Sequence, residues 1–190
     1  MITKLDTNII YRFLFLFISP INGWKKIKNL RISSNEVAQK LFYPIIAFTA
    51  LSVFMGVFYI YNFSIEELLK KAIIVFASFF FANFLIHFLS NIFLKKDSFQ
   101  KIQTNYGKIF IMINLSTLSV FYILLNIFPI LEPILVFTPI YTAYLVVKGC
   151  KLLRFSEVEN TQSIIVLVIL NICTPLVIGY LLSIFLPTNS

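Results

Sequence analysis

Charge is scarce in this chain. Only 13% of its 190 residues are Asp, Glu, Lys or Arg, roughly half the share of a soluble domain. A soluble domain needs polar and charged cover for its surface, so a water-soluble enzyme, a nucleic-acid binder and a disordered tail are excluded. Cysteine is nearly absent: Cys150 and Cys173 lie far apart, in or beside apolar stretches, and make neither a disulfide framework nor a metal pattern. They read as packing or lipid-facing residues, with acylation of Cys150 at a cytoplasmic helix end as the sharper reading. Five Gly and seven Pro are too few for a linker-rich chain, and no repeat of fixed period is visible.

What is abundant is apolar surface. Hydrophobic residues make up 59% of the chain and the mean hydropathy is +0.90. Yet the net charge is +8, from 16 Lys and Arg against 8 Asp and Glu. Five stretches are long enough to span a bilayer: residues 41–61, 72–94, 109–128, 130–147 and 164–186. At 1.5 Å per residue they give about 27 to 35 Å of helix, against a hydrocarbon core of about 30 Å. Lipid offers no partner to backbone N–H and C=O groups, so such spans must be helical. The expected fold class is therefore all-α: a polytopic five-helix membrane bundle (41–186), preceded by a basic amphipathic interfacial segment (1–40) and followed by a short outer tail (187–190).

Helix starts are marked by Ser33-x-x-Glu36, Ser64-x-x-Glu67 and Ser156-x-x-Glu159, which read as capping boxes, with Phe63 and Leu68 as a hydrophobic staple at the second. They lie upstream of the apolar runs, so the helices should extend beyond the membrane. Pro129-Ile130-Leu131-Glu132-Pro133 is the whole link between the third and fourth spans, which predicts a tight antiparallel hairpin.

Alternating the loops puts all cations but Lys70 and Lys71 on one side. That side holds Lys4, Arg12, Lys25, Lys26, Lys28, Arg31 and Lys40 before the first span, Lys95, Lys96, Lys101 and Lys108 after the second, and Lys148, Lys151 and Arg154 after the fourth. Cytoplasmic loops carry the Lys/Arg excess, so the N-terminus is expected inside and the C-terminus outside. The run 9–18 is too short to span and has no small-residue cleavage site after it; it should lie in the interface or pack under the bundle. In residues 21–31, Trp24, Ile27 and Leu30 share one helical face, and Asn22, Lys25, Lys26 and Asn29 the other. Trp24 with Lys25, Lys26, Lys28 and Arg31 is thus a candidate site for anionic lipid or for another membrane or cytoplasmic protein. Nothing here reads bases, and nucleic acid is not expected as a partner.

Polar residues inside the spans form the second candidate. Asn83, His87 and Asn91 recur every fourth residue on one helical face. They are expected to face the bundle and hydrogen-bond across it to Asn114, Ser116, Thr117 or Ser119, or to Asn171 or Thr174. Thr138-Pro139 and Thr174-Pro175 are expected to kink the fourth and fifth spans. Such kinks, with an intramembrane His, also suit a solute or proton site, although no charged residue sits mid-span to complete a relay. Ser52-x-x-x-Gly56 allows close helix approach. No nucleophile–base pair, metal cluster or Gly-rich phosphate loop is present, so no catalytic residue, metal or cofactor is expected.

Two pieces of the chain carry a family likeness: Pro20-x-x-x-Trp24-x-x-Ile27, and Thr138-Pro139-Ile140-Tyr141-x-x-Tyr144 running into Val147-Lys148-Gly149 and Phe155-Ser156. With five spans and an internal N-terminus they resemble the Ypt-interacting-protein (Yip domain) family, in its prokaryotic form, over roughly residues 20–186. The resemblance implies a membrane scaffold or trafficking-type adaptor in a bacterial cytoplasmic membrane. The Asp-Leu-Tyr-Gly-Pro element of the eukaryotic branch is absent, so binding to Rab-type GTPases is not carried over. The alternative function is a small transporter, channel or transporter subunit that uses the polar stripe around His87.

Overall fold

A computed structural model describes residues 4–29, 32–59, 64–94, 103–135, 137–153 and 161–186. All of the regular structure among them is helical. Four helices are long and apolar enough to cross a membrane: α3 (Ser34–Phe58), α4 (Ile65–Phe93), α5 (Asn105–Ile127) and α8 (Thr161–Phe185). Before them come α1 (Lys4–Ile18) and α2 (Pro20–Lys28). Between α5 and α8 lie the single turn α6 (Glu132–Leu135) and α7 (Thr138–Leu153).

Local chemistry sets the helix starts. Ser33 accepts from the Glu36 N–H while the Glu36 carboxylate accepts from the Ser33 N–H, and Ser64 and Glu67 repeat the arrangement before α4. Each box satisfies two donors that a helix start leaves unpaired, and each starts its helix several residues ahead of the apolar run. Phe63 and the Ser156 box lie outside the described residues. Thr104, which the sequence pattern did not single out, caps α5 by accepting from the Gly107 N–H.

α3 is not uniform. Ala38–Phe42 is a π-turn and Val53–Phe58 a 3₁₀ segment. Pro44 explains the first: with no N–H it cannot bond to the carbonyl four residues back, and a widened turn absorbs the mismatch.

The fourth predicted span is broken. After Ile127 the chain forms a 3₁₀ turn at Pro129–Leu131, then α6, and only at Thr138 does α7 begin, 16 residues long. At 1.5 Å per residue α7 spans about 24 Å. The link to α5 is therefore longer than the five residues 129–133, although α5 and α7 remain packed neighbours. Pro139 lies in the first turn of α7, where a missing N–H costs nothing. It opens that helix instead of kinking it; of the two Thr-Pro prolines, only Pro175 lies inside a helix, α8.

α5 is the axis of the bundle. Residues 109–119 are buried on every side. α3 runs parallel to it, tied by Asn105 near one end (Oδ1 accepts from Ser34 N–H, Nδ2 donates to Ile32 O at 2.8 Å) and by Tyr59 at the other, whose hydroxyl donates to Ile127 O at 2.8 Å. The first of these is called the basic end below and the second the far end. α4 packs most extensively on α8. Close approach is made at Gly23, Gly149 and Gly179, not at the Ser52–Gly56 pair: a Cβ on Gly56 would meet nothing nearer than Leu68 Cδ2 at 3.9 Å.

Candidate functional site

The basic end is organised by the N-terminal helices. Ser19-Pro20 makes the elbow between α1 and α2, and the two legs pack so tightly that a Cβ on Gly23 would lie 2.6 Å from Leu16 Cα. Only glycine allows this contact. Arg12 donates to the Lys26 carbonyl and holds the open end of the hairpin together.

The hairpin stands along α5 and α7 and does not lie flat across their ends. Trp24 packs against Phe110 in a tilted arrangement with ring centroids 5.4 Å apart, while Phe17 meets Phe121 at 6.0 Å. Phe121 is eleven residues beyond Phe110, about 16 Å further along the helix. The Tyr141 hydroxyl donates to Phe17 O at 3.1 Å and anchors the elbow from α7. Ile18 (81% exposed) and Ile21 (41%) point away from the bundle at the elbow.

This position corrects one candidate docking residue. Trp24 is completely buried, its indole N–H donating to Leu145 O at 3.0 Å. A Cβ on Gly149 would come within 2.8 Å of the indole. The apolar face of α2, with Ile27 also buried, is turned to the bundle instead of to headgroups. The physical reason is that a neutral indole fitted into a glycine gap, with its one donor satisfied, gains both packing and a buried hydrogen bond.

The lysines of α2 have different surroundings. Lys25 is exposed. The Lys26 ammonium sits 3.5 Å from the Phe15 ring centroid and 5.2 Å from that of Tyr11, a favourable cation–π arrangement. Lys28 donates to Leu152 O at 3.2 Å, at the C-terminus of α7, where a cation suits the helix dipole. Lys148 lies over Tyr144, 5.3 Å from the ring centroid. The Lys28 bond brings the cations of α2 and those of α7 (Lys148, Lys151) onto one rim. Arg31 lies outside the described residues. Cys150 is buried and Cys173 exposed, so acylation of Cys150 has no accessible thiol to act on.

The polar stripe of α4 separates as it runs. Asn83 is buried, His87 half-buried and Asn91 exposed. A four-residue repeat drifts about 40° per step on a helix of 3.6 residues per turn, and two steps carry the row from the core to the surface. Asn91 is therefore not an internal packing residue. Nor do the expected partners reach across. Asn114 Nδ2 donates to Phe110 O at 2.9 Å and Asn171 Nδ2 to Leu167 O at 2.8 Å, each four residues back on its own helix. Thr117 bonds Ile113 O in the same way. Bonding along the helix costs no interhelical geometry.

What remains is a set of buried polar atoms with no protein partner. Among the described residues they include Asn83 Oδ1, His87 Nδ1, Asn114 Oδ1, Asn171 Oδ1 and Thr138 Oγ1. Thr174 is buried at 5% exposure. Unpaired buried acceptors of this kind are ordinarily met by ordered water. They sit on several helix faces, and no group of three or more His, Cys, Asp or Glu among the described residues could hold a metal ion.

A cavity of about 270 Å³ opens between α4, α5 and α8. No pattern in the sequence marks it. His87 is not among its lining residues. Comparison of the chain with protein-family models, with curated proteins and with solved structures finds no match in any of the three.

Proposed function

We propose that this chain is an integral membrane scaffold of the Yip-domain type, docking anionic lipid or a partner protein through its basic rim. In this reading it sits in a bacterial cytoplasmic membrane with five crossings, the N-terminus inside and the C-terminus outside. α7, together with the turns at Pro129–Leu131 and Glu132–Leu135, supplies the crossing between α5 and α8. The α1–α2 hairpin enters the inner leaflet with its Ile18 and Ile21 elbow in lipid and its lysines at headgroup level.

The observation that carries this reading is the Lys28–Leu152 bond. It holds cations from opposite ends of the sequence on one rim. Each lysine near an anionic leaflet is worth about 1 kcal/mol of attraction. Trp24, Gly149 and Tyr141 give that rim a rigid base, as a docking surface requires.

A photo-crosslinking amino acid at Lys25, irradiated in native membrane, should give one dominant adduct with a protein or an anionic lipid. Charge reversal at Lys26 and Lys28 should abolish it. An adduct that survives the reversal removes the rim from the argument.

The second reading, a solute or proton path around His87, is favoured by the unpaired polar atoms. It predicts that His87→Gln abolishes flux into proteoliposomes, whereas the scaffold reading predicts that this substitution changes neither function nor crosslinking.

A further inference from the structure

The cavity between α4, α5 and α8 lies away from the basic rim and from the polar stripe. Along α4 it runs from Lys71 to Phe79, about 12 Å of helix. Lys71 and Ser183 line it nearest the far end, and Phe79 and Pro175, inside α8, line it furthest from that end. Gly179 and Ser78 form a narrow part of its lining: a Cβ on Gly179 would meet Ser78 Oγ at 3.1 Å.

The walls are more apolar than their composition suggests. Ser78 Oγ donates to Ile74 O at 2.6 Å and Ser183 Oγ to Tyr180 O at 2.7 Å, so both hydroxyl protons are spent within their own helices. Ile74, Val75 and Leu176 supply much of the remainder. The one formal charge among the lining residues is the exposed Lys71.

We infer that this cleft is a lipid site: it takes an acyl chain of an anionic phospholipid of the outer leaflet, with the phosphate on the Lys71 ammonium. The inference rests on the reading that α4, α5 and α8 cross a bilayer with the basic end inside. On that reading Lys71 lies near the outer headgroup level, and the apolar cleft below it opens between helices. An ammonium at the mouth of an apolar cleft selects a ligand with one anionic head and an apolar tail. The positive-inside pattern sharpens the point, because Lys70 and Lys71 are the only two Lys or Arg that the five-span topology leaves on the outer face.

The test is native mass spectrometry of the delipidated full chain, titrated with phosphatidylglycerol or with phosphatidylcholine of the same acyl chains. Wild type should hold one phosphatidylglycerol about five-fold more tightly than phosphatidylcholine, the effect of one lysine at a surface. Lys71→Gln should remove that preference and keep chain binding; Lys70→Gln, one residue away and outside the cavity lining, should not. Val75→Trp, which adds an indole to the apolar wall, should weaken both lipids. Equal retention of the two lipids by wild type, or a preference that survives Lys71→Gln, overturns the inference. So does a lipid-free dimer that Val75→Trp converts to monomer, since a second copy would then occupy the cleft. The bilayer reading fails separately, if alkaline carbonate strips the chain from membranes.

Discussion

At the basic end, side chains reach far along the sequence to tie helices together: Trp24 to Leu145 O, Lys28 to Leu152 O, Asn105 to Ile32 O. Towards the far end, Tyr59 to Ile127 O and Asn126 to Ser52 Oγ join α3 to α5, and Tyr141 to Phe17 O joins α7 to the α1–α2 elbow. Asn171 and Ser183 on α8 donate within their own helix, and α8 meets α4 through packing. One end is closed by an inserted hairpin; the other holds a 270 Å³ cleft. In a bilayer the hydrophobic effect does not press helix on helix, so packing and specific hydrogen bonds decide which contacts are fixed. The basic end has both, whereas the described contact of α8 with α4 at the far end is packing.

The largest expected effect comes from removing the wedge. Trp24→Ala deletes a fully buried indole and should cost about 3 kcal/mol or more from the cavity it leaves. Trp24→Phe keeps most of the volume and loses the donor to Leu145 O, for about 1 kcal/mol. Thermal unfolding in detergent, followed by intrinsic fluorescence of the tyrosines or by circular dichroism, should rank wild type above Phe above Ala. Equal midpoints for all three would mean that the hairpin is not part of the folded bundle.

Two glycines sharpen the same contrast. A Cβ on Gly149 would sit 2.6 Å from Phe110 Cε2 and 2.8 Å from the Trp24 ring, whereas on Gly56 the nearest atom is 3.9 Å away. Gly149→Ala should therefore destabilise by about 1 to 3 kcal/mol through overpacking. Gly56→Ala should be neutral or stabilise by a few tenths, about 0.4 kcal/mol, by restricting the unfolded chain. The same melting series reads both, and a reversed order contradicts the described contact.

How far the sequence revealed these features depended on how local each one is. The boxes at Ser33 and Ser64 were legible because every partner lies within three residues. The four long helices were legible because lipid permits an apolar run of that length no other backbone form. The height of the α1–α2 hairpin was not, since Trp24 and Leu145 are 121 residues apart and periodicity gives a face without its neighbour. Thr138-Pro139 read as a kink because hydropathy drew the span through it, and proline at a first helical turn leaves no hydropathy mark. The stripe of Asn83, His87 and Asn91 was correct as a line on a cylinder. Whether each asparagine turns to a neighbour or to its own helix is decided by packing that a single strand of text does not contain.

Smaller effects separate the ends directly. Asn105→Ala removes both an acceptor for the Ser34 N–H and a donor to Ile32 O, and should cost about 1 to 2 kcal/mol. Asn126→Ala breaks the single far-end bond to Ser52 Oγ, 2.9 Å long, and should cost about 0.6 kcal/mol, the usual worth of such a bond between membrane helices. Hydrogen exchange should show the same asymmetry, with the amides around Ser34 losing protection in the first variant and those around Ser52 barely changing in the second.

The smallest effect is expected at Glu66, although its carboxylate is 2.8 Å from the Lys70 ammonium. Four residues apart on the surface of α4, with Glu66 74% exposed, the two gain little by meeting, because water screens the attraction and ordering both side chains costs entropy. Glu66→Gln should leave the melting midpoint where it was. The comparison with Lys28 is instructive, since both lysines hold an oxygen near 3 Å. Lys28 joins two helices that no other cation bridges among the described residues, while Lys70 joins a helix to itself. Lys28→Gln should therefore lower the midpoint measurably and Glu66→Gln should not. If the two substitutions behaved alike, a short distance to oxygen would have been mistaken for a fastening at the basic end too.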